Sequence, residues 1–335
     1  MMLPVVSIIL PIRNEANHIE RTLTSVSKQT YPPDRLEVIV VDGQSDDSTQ
    51  EKVLSFAAQN SGMPIVLLNN LRRVMPSGFN QGLAQAHGEI IIMIGGHCEL
   101  APDYVMNCAN CLAMNSAEGV GGVMTAVGET NMARAIANAQ SSRFGVGGVA
   151  FRMSQPQGAY VDTVAFGAYR RSVFDRIGVL DEELIRNQDD ELNFRLTQAG
   201  GKIWLDPSIR SIYHSRSSIR KLWKQYYQYG VYKVRVIQKR GAVPSWRHLA
   251  PSAFVTALVL GLFLFVAGRK RIGLIPLVAY AMANSVASLQ LATKDLRNLP
   301  YYPIIFATLH ISYGLGFLVG LWKWRQHGFP SLWVA

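Results

Sequence analysis

The sequence predicts a doubly wound α/β domain followed by a basic segment and a C-terminal helical apolar region, on three observations. Short β-branched runs alternate with helical segments over about the first hundred residues, polar turn residues gather at the ends of those runs, and the long apolar stretches lie almost entirely near the C-terminus.

Val5–Pro11 is the first such run, and it ends in Ile12-Arg13-Asn14-Glu15. The opening MMLPVVSIILPIRNE has no basic leading region and meets polar residues too early for a signal peptide, so it reads as a buried strand. Glu15–Ser27 follows as a helix, with Ile19, Leu23 and Val26 on one face and Pro32-Pro33 beyond it. Leu36–Val41 is the next strand and closes a βαβ unit at Asp42-Gly43. Ser48–Ala58 and Ser77–Ala86 read as helices, and Ile65–Leu68 and Ile90–Ile94 as strands. Continuous apolar strands joined by crossover helices imply a parallel core with both faces covered. Ligands bind such sheets beyond the carboxyl ends of the strands, which here carry Pro11–Glu15, Asp42–Asp47 and Gly95-Gly96-His97. After Gly119 the pattern loosens into glycine-rich segments, either covers for a substrate site or plain mobile connections, before a helix over Asp189–Ala199.

Lys and Arg number 33 against 23 Asp and Glu, and the excess has a location: no acid stands between Asp206 and Asp295. Because these basic residues adjoin apolar spans, they fit anionic lipid or lipid-linked phosphate better than nucleic acid, which is not expected as a partner. Three cysteines make no disulfide framework, and the lone pair Cys108 and Cys111 falls short of the four ligands of a structural zinc. They read as small buried helix residues.

Residues 216–248 form a basic segment of their own. On a helix Ile219, Trp223, Tyr226, Tyr227 and Gly230 cluster, with Arg220, Lys221 and Lys224 to another side. Two readings fit: an interfacial helix, or a helix packed on protein with a solvated basic face. Three stretches of about 20 residues follow, Leu249–Gly268, Ile272–Ala292 and Pro303–Trp322, each long enough to span hydrocarbon. Pro251 interrupts the first and Asn284, Ser285, Ser288 and Gln290 make the second polar, so residues 249–335 are expected to hold two to three spans. Lys239, Arg240, Arg247, Lys294 and Arg297 nearly balance Arg269, Lys270, Arg271, Lys323 and Arg325, so charge alone does not orient them.

The blocks SIILPIRNEANHIERTLTSVSKQTYP, VIVVDGQSDDST, PSGFNQGLAQAHGEIIIMI and NQDDELNFRLTQAGGKIW resemble, in order and spacing, family 2 of the inverting glycosyltransferases, over roughly residues 5–215. The later FGAYRRSVF, YHSRSS and QYYQYG and the apolar spans are similar to bacterial exopolysaccharide glucosyltransferases of the succinoglycan type. The resemblance implies a GT-A fold with a mixed sheet over residues 1–215. It implies transfer of a hexose, glucose from UDP-glucose, with inversion, to a polyprenyl-diphosphate-linked saccharide. Since nucleotide sugars are made in the cytoplasm, it places the catalytic domain there, on a multi-pass protein of the inner membrane.

Inverting transfer needs a nucleotide site, charge neutralisation on the leaving diphosphate, and a carboxylate that takes the acceptor's proton. The resemblance makes Pro11, Arg13, Glu15 and Asp42 contacts to the base or ribose, with Asp47 beside them, and Asp189 the general base at a helix start that keeps it charged. Each also has a plainer reading as a turn or cap residue. The family's Glu before that Asp is Gln188 here, and its acidic metal ligand after the fourth strand is Gly95. His97 and His214 remain at metal positions for Mn²⁺ or Mg²⁺, and two imidazoles without a carboxylate suit Mn²⁺ better. Glu99 and Asp103 are the nearest acids that could substitute. Gln228 and Tyr229 replace the Arg and Trp of polymerising synthases, which favours addition of a single sugar. A catalytically silent paralogue that binds nucleotide sugar or a synthase partner is the alternative, and a membrane scaffold would leave the two strand-end blocks unexplained.

Overall fold

The computed structural model describes residues 2–153, 156–243, 245–293 and 295–327. Lys294 of the flanking charges and residues 328–335 of the expected membrane domain lie outside the described residues. Two compact units form, one from residues up to 125 and 150–214, the other from 126–149 and 215 onward.

In the first unit the sheet carries the strands β1 (Val6–Ile12), β2 (Leu36–Asp42), β3 (Ile65–Asn69), β4 (Ile90–Met93), β5 (Cys98–Leu100), β6 (Gly119–Val127), β7 (Ala159–Val161), β8 (Ala168–Arg170) and β9 (Ile203–His214). Their order is β3-β2-β1-β4-β8-β6-β9-β5, with β7 on β9. The first four run parallel, as the alternation predicts. The remaining pairs described are antiparallel, which makes the sheet mixed.

Strand side chains alternate between faces, and β1 shows the consequence. Val6, Ile8, Leu10 and Ile12 join a core with α1 (Ile19–Ser27), α2 (Thr49–Gln59) and α4 (Tyr104–Met114). Ile9 faces the other core, with α3 (Met75–Gln85), α7 (Arg171–Ile177) and α8 (Gln188–Gln198). Each fully buried Ile or Leu contributes roughly 1.5–3 kcal/mol, so a strand buried on both faces is held far more tightly than its hydrogen bonds alone would hold it. Cys108 and Cys111 are buried on α4, as expected of small helix residues.

The second unit holds α5 (Asn131–Gln140), α6 (Arg143–Val146), α9 (Ile219–Arg240), α10 (Ala250–Val266), α11 (Lys270–Ala292) and α12 (Tyr302–Lys323). Trp246–Val266, Lys270–Ala292 and Leu296–Lys323 are long and apolar enough to cross a membrane. The division breaks after His214, next to the expected boundary at 215, but moves residues 126–149 to the second unit and has no break at 248. Residues 126–149 pack here because Ala135, Ile136 and Ala139 of α5 join Leu222, Tyr226, Tyr302 and Phe306 in one core. The helix α9 packs on protein. It lies backbone to backbone on α12: a Cβ at Gly230 would meet Tyr313 O and Phe317 N, and one at Gly316 would meet Tyr227 O. Small residues at such a crossing let helices approach until their main chains touch.

Candidate nucleotide-sugar site

The loops after β1 and β2 are laced together. Asn14 N donates to Ser45 Oγ (2.8 Å), Asn14 Nδ2 to Asp46 Oδ1 (2.7 Å), and Asp46 N returns a bond to Asn14 Oδ1 (3.1 Å). Glu15 N donates to Thr49 Oγ1 (2.8 Å), and Gly43 N to Ile12 O (2.8 Å). Asn14 (φ 56°) and Gln44 (φ 55°) both occupy the left-handed region, which suits the short amide side chain of Asn14 and lets each loop double back on its partner.

Within this frame the expected residues divide. Asp42 is fully buried, and its carboxylate accepts from Ser45 N (2.9 Å), Ser45 Oγ (2.5 Å) and Gln50 Nε2 (2.5 Å), so it holds the loop from inside. Asp47 accepts from Thr49 N (3.0 Å), the Thr49 hydroxyl and Ala16 N (3.3 Å). What burial it has raises its pKa, but the Thr49 and Ala16 hydrogen bonds outweigh that and hold it below the usual aspartate value. Pro11 is buried, and a Cβ on α3 residue Gly78 would lie 3.2 Å from its ring. Arg13 is exposed at the loop tip.

Glu15 turns to His97, whose Nδ1 lies 2.7 Å from its carboxylate. Pairing of β5 with β9 sets Cys98 opposite Tyr213 and brings His214 N to His97 O (3.3 Å). His214 Nε2 in turn sits 2.7 Å from Glu99 Oε1. His18, which the sequence reading passed over, stacks on His214 at 5.4 Å and stands edge-on to His97 at 6.5 Å. Its place three residues beyond Glu15, on the turn entering α1, was the available signal. The Cys98 thiol donates to Gly95 O (3.2 Å) and fixes the turn, and burial pushes that thiol up to about 12.

Does this set fit a divalent cation? Each expected imidazole is already bonded to a glutamate, Gly95 brings no carboxylate, and no group of three acids, histidines or cysteines suited to a metal occurs among the described residues. Hard cations prefer several oxygen ligands. As folded, these side chains do not make a divalent-cation site.

Asp189 occupies the first turn of α8 with Asp190 and Glu191. Glu191 is fully buried in a two-point pair with Arg195 (both 3.0 Å), so it is structural, while Asp189 is half-buried and accepts from Asp190 N (2.9 Å). Burial, and secondly the negative charge of Asp189, raise the pKa of Tyr169 on β8. Tyr169 OH bonds Asn193 Oδ1 (2.7 Å), and Asn193 Nδ2 bonds Thr163 Oγ1 (2.9 Å). β8 pairs with β4, the strand that leads to Gly95 and His97.

Known proteins agree with this architecture. A dolichyl N-acetyl-alpha-D-glucosaminyl phosphate 3-beta-D-2,3-diacetamido-2,3-dideoxy-beta-D-glucuronosyltransferase of Methanococcus voltae is 29% identical over 331 residues, 95% of this chain and 97% of that protein. Succinoglycan biosynthesis protein ExoA of Rhizobium meliloti is 27% identical over 324 residues, covering 95% and 94%. Among solved structures, a mannosyltransferase of Pyrobaculum calidifontis in complex with GDP-Man and Mn²⁺ superposes with a TM-score of 0.65 at 21% identity, over 96% of this chain and 88% of that one. S. aureus TarS 1-349 with UDP gives 0.51 at 15% identity, over 97% and 92%. These two show the fold. Residues 7–178 match the profile of Glycosyl transferase family 2, half of the chain, and the chain is therefore a glycosyltransferase of that family, built on a GT-A fold with three C-terminal helices apolar enough to span a membrane.

Proposed function

We propose that the chain transfers a hexose from a nucleotide sugar, UDP-glucose in the first instance, with inversion, to a lipid-linked saccharide in the synthesis of an exopolysaccharide or other surface glycan. The observation that carries this reading is the laced pair of loops at the carboxyl ends of β1 and β2, where such sheets take their ligands. In this reading Arg13, exposed at the loop tip, and Glu15, held by His97, meet the base or ribose, while Pro11, Asp42 and Asp47 hold the loops in shape. Two relatives matched over nearly their whole length, one named for a dolichyl-phosphate-linked acceptor and one for succinoglycan, support a lipid-linked acceptor and a polymer product.

In this reading the first unit faces the cytoplasm, where nucleotide sugars are made, and α10–α12 anchor the chain in the inner membrane. Exposed Arg220, Lys221 and Lys224, with Trp223 among them, give α9 a face suited to anionic headgroups or the diphosphate of the acceptor. Asp189 takes the proton of the acceptor hydroxyl as it attacks the anomeric carbon, and the nucleoside diphosphate leaves.

The test is release of UDP or GDP from a panel of nucleotide sugars by the membrane-embedded full chain with a lipid-linked acceptor, with and without Mn²⁺. Acceptor-dependent release supports transfer. The missing acid at Gly95 favours a second reading, a silent nucleotide-sugar-binding paralogue, and binding without release from any donor would establish that one instead.

A further inference from the structure

Departure of a nucleoside diphosphate places negative charge on the leaving oxygens, and something must neutralise it in place. At this end of the sheet both histidines at the expected metal positions are engaged by glutamates. The turn has room for a methyl group at Gly95. A Cβ added at Gly95 would find its nearest neighbours, His97 Cε1 and Phe166 Cε1, only at 3.8 and 3.9 Å. Phe166 lies 6.5 Å from the Tyr213 ring, and Tyr213 packs edge-on to His97 at 5.2 Å. Over that same Tyr213 ring, with its centre 6.0 Å away, stands the guanidinium of Arg152, which also lies over the Phe151 ring at 5.6 Å.

Arg152 is unlike a surface arginine. Its Nη1 is buried and finds no hydrogen-bond partner among the described residues, although a buried charged donor left unmatched costs more than a neutral one. Two aromatic rings lie near the guanidinium, 5.6 and 6.0 Å from ring centre to Cζ, and its edge is the part that forks onto phosphate oxygens.

We propose that Arg152 binds the diphosphate of the donor and of the leaving nucleotide directly, through its edge N–H groups, in a site that works without a divalent cation. The inference rests on the reading of the β1 and β2 ends as the nucleotide site. It adds that the opening at Gly95 is a phosphate pocket bounded by His97, Phe166 and Tyr213. Arg152 would be a contact to substrate, with Tyr213 and Phe151 positioning it. In the transfer the bond from the anomeric carbon to the β-phosphate oxygen breaks, and its electron pair stays on the diphosphate that Arg152 holds. The acceptor oxygen bonds that carbon, and its proton goes to Asp189.

The experiment titrates the full chain in detergent micelles, in EDTA, with UDP and uridine and in parallel with GDP and guanosine, by calorimetry. Wild type should bind a diphosphate without metal and more tightly than the nucleoside. Arg152→Gln should weaken diphosphate binding tenfold or more while moving nucleoside affinity less than twofold, with Arg152→Lys between. Should the Gln variant not fold, the EDTA arm on wild type and the Lys variant decide. Unchanged diphosphate affinity in Arg152→Gln, equal weakening of diphosphate and nucleoside, or wild-type binding that vanishes in EDTA and returns with Mn²⁺ would each overturn the proposal while leaving the nucleotide site standing. A wild type that binds neither diphosphates nor nucleosides would overturn the site reading and this inference with it.

Discussion

His97 and Glu15, from the turn after β4 and the loop after β1, meet at 2.7 Å, both largely shielded from solvent. The pair couples the loop that opens the candidate base site to the turn that opens the candidate phosphate pocket. Glu15→Ala should leave a part-buried imidazole without its acceptor and cost about 1–3 kcal/mol of stability, whereas Glu15→Gln, which keeps an acceptor oxygen, should cost less. Urea unfolding of the two variants checks the order, and equal losses would refute it.

Gly95 and Gly96 should respond in opposite ways. A Cβ at Gly96 would stand 2.7 Å from Glu15 Cγ and 2.9 Å from Ile12 Cγ2, so Gly96→Ala should displace Glu15 and destabilise the chain by about 1–3 kcal/mol. Gly95→Asp has room and sets a carboxylate beside His97, so it should raise Mn²⁺ affinity at least tenfold over wild type, read by paramagnetic resonance of the free ion.

Asp189→Asn should lower the rate of sugar transfer about 10²–10⁴-fold and leave nucleotide affinity within a factor of two, because the amide keeps the shape and cannot take a proton. Assay of transfer alongside calorimetric binding separates the effects. Activity within threefold of wild type would remove Asp189 as the base.

The contact between α9 and α12 should not tolerate bulk. Gly316→Leu places a side chain against the Tyr227 carbonyl and should force the helices apart, lowering the thermal unfolding temperature of detergent-solubilised protein by several degrees. An exposed control such as Leu262→Ala on α10 should leave it nearly unchanged.

Acid should loosen the laced loops through Asp47. Its pKa is depressed in the folded chain, so its contribution is complete above the ordinary aspartate value of about 3.9 and is lost as pH falls through the lower folded value. Hydrogen exchange at the Ala16 and Thr49 amides should therefore quicken below about pH 4 relative to Asp47→Asn, in which that dependence is absent. Matching profiles for the two proteins would exclude the role.

The parallel half of the sheet was legible because its strands are continuous apolar runs with crossover helices between them, a pattern that few arrangements other than a covered parallel sheet satisfy. Legible too were the strand-end loops, where Asp-Gly and Asn-Glu mark the turns, and the three long helices, whose length and apolar composition qualify them. Trp223 shows where helical periodicity ran out. It shares an arc with Tyr226 and Gly230, yet it stands exposed among Arg220, Lys221 and Lys224, because α12 covers only part of that arc.

The tertiary structure alone decided what depends on pairing between distant segments. The register of β5 against β9 carries His214 to His97, packing of α5 draws residues 126–149 out of the first unit, and Asp42 proves to face its own loop. The place of Arg152 over the Tyr213 ring had no local signal at all, since the two meet only through the fold. Periodicity reports which face of an element is apolar, but not which partner covers that face, and the placement of every charge near the site follows from the partner.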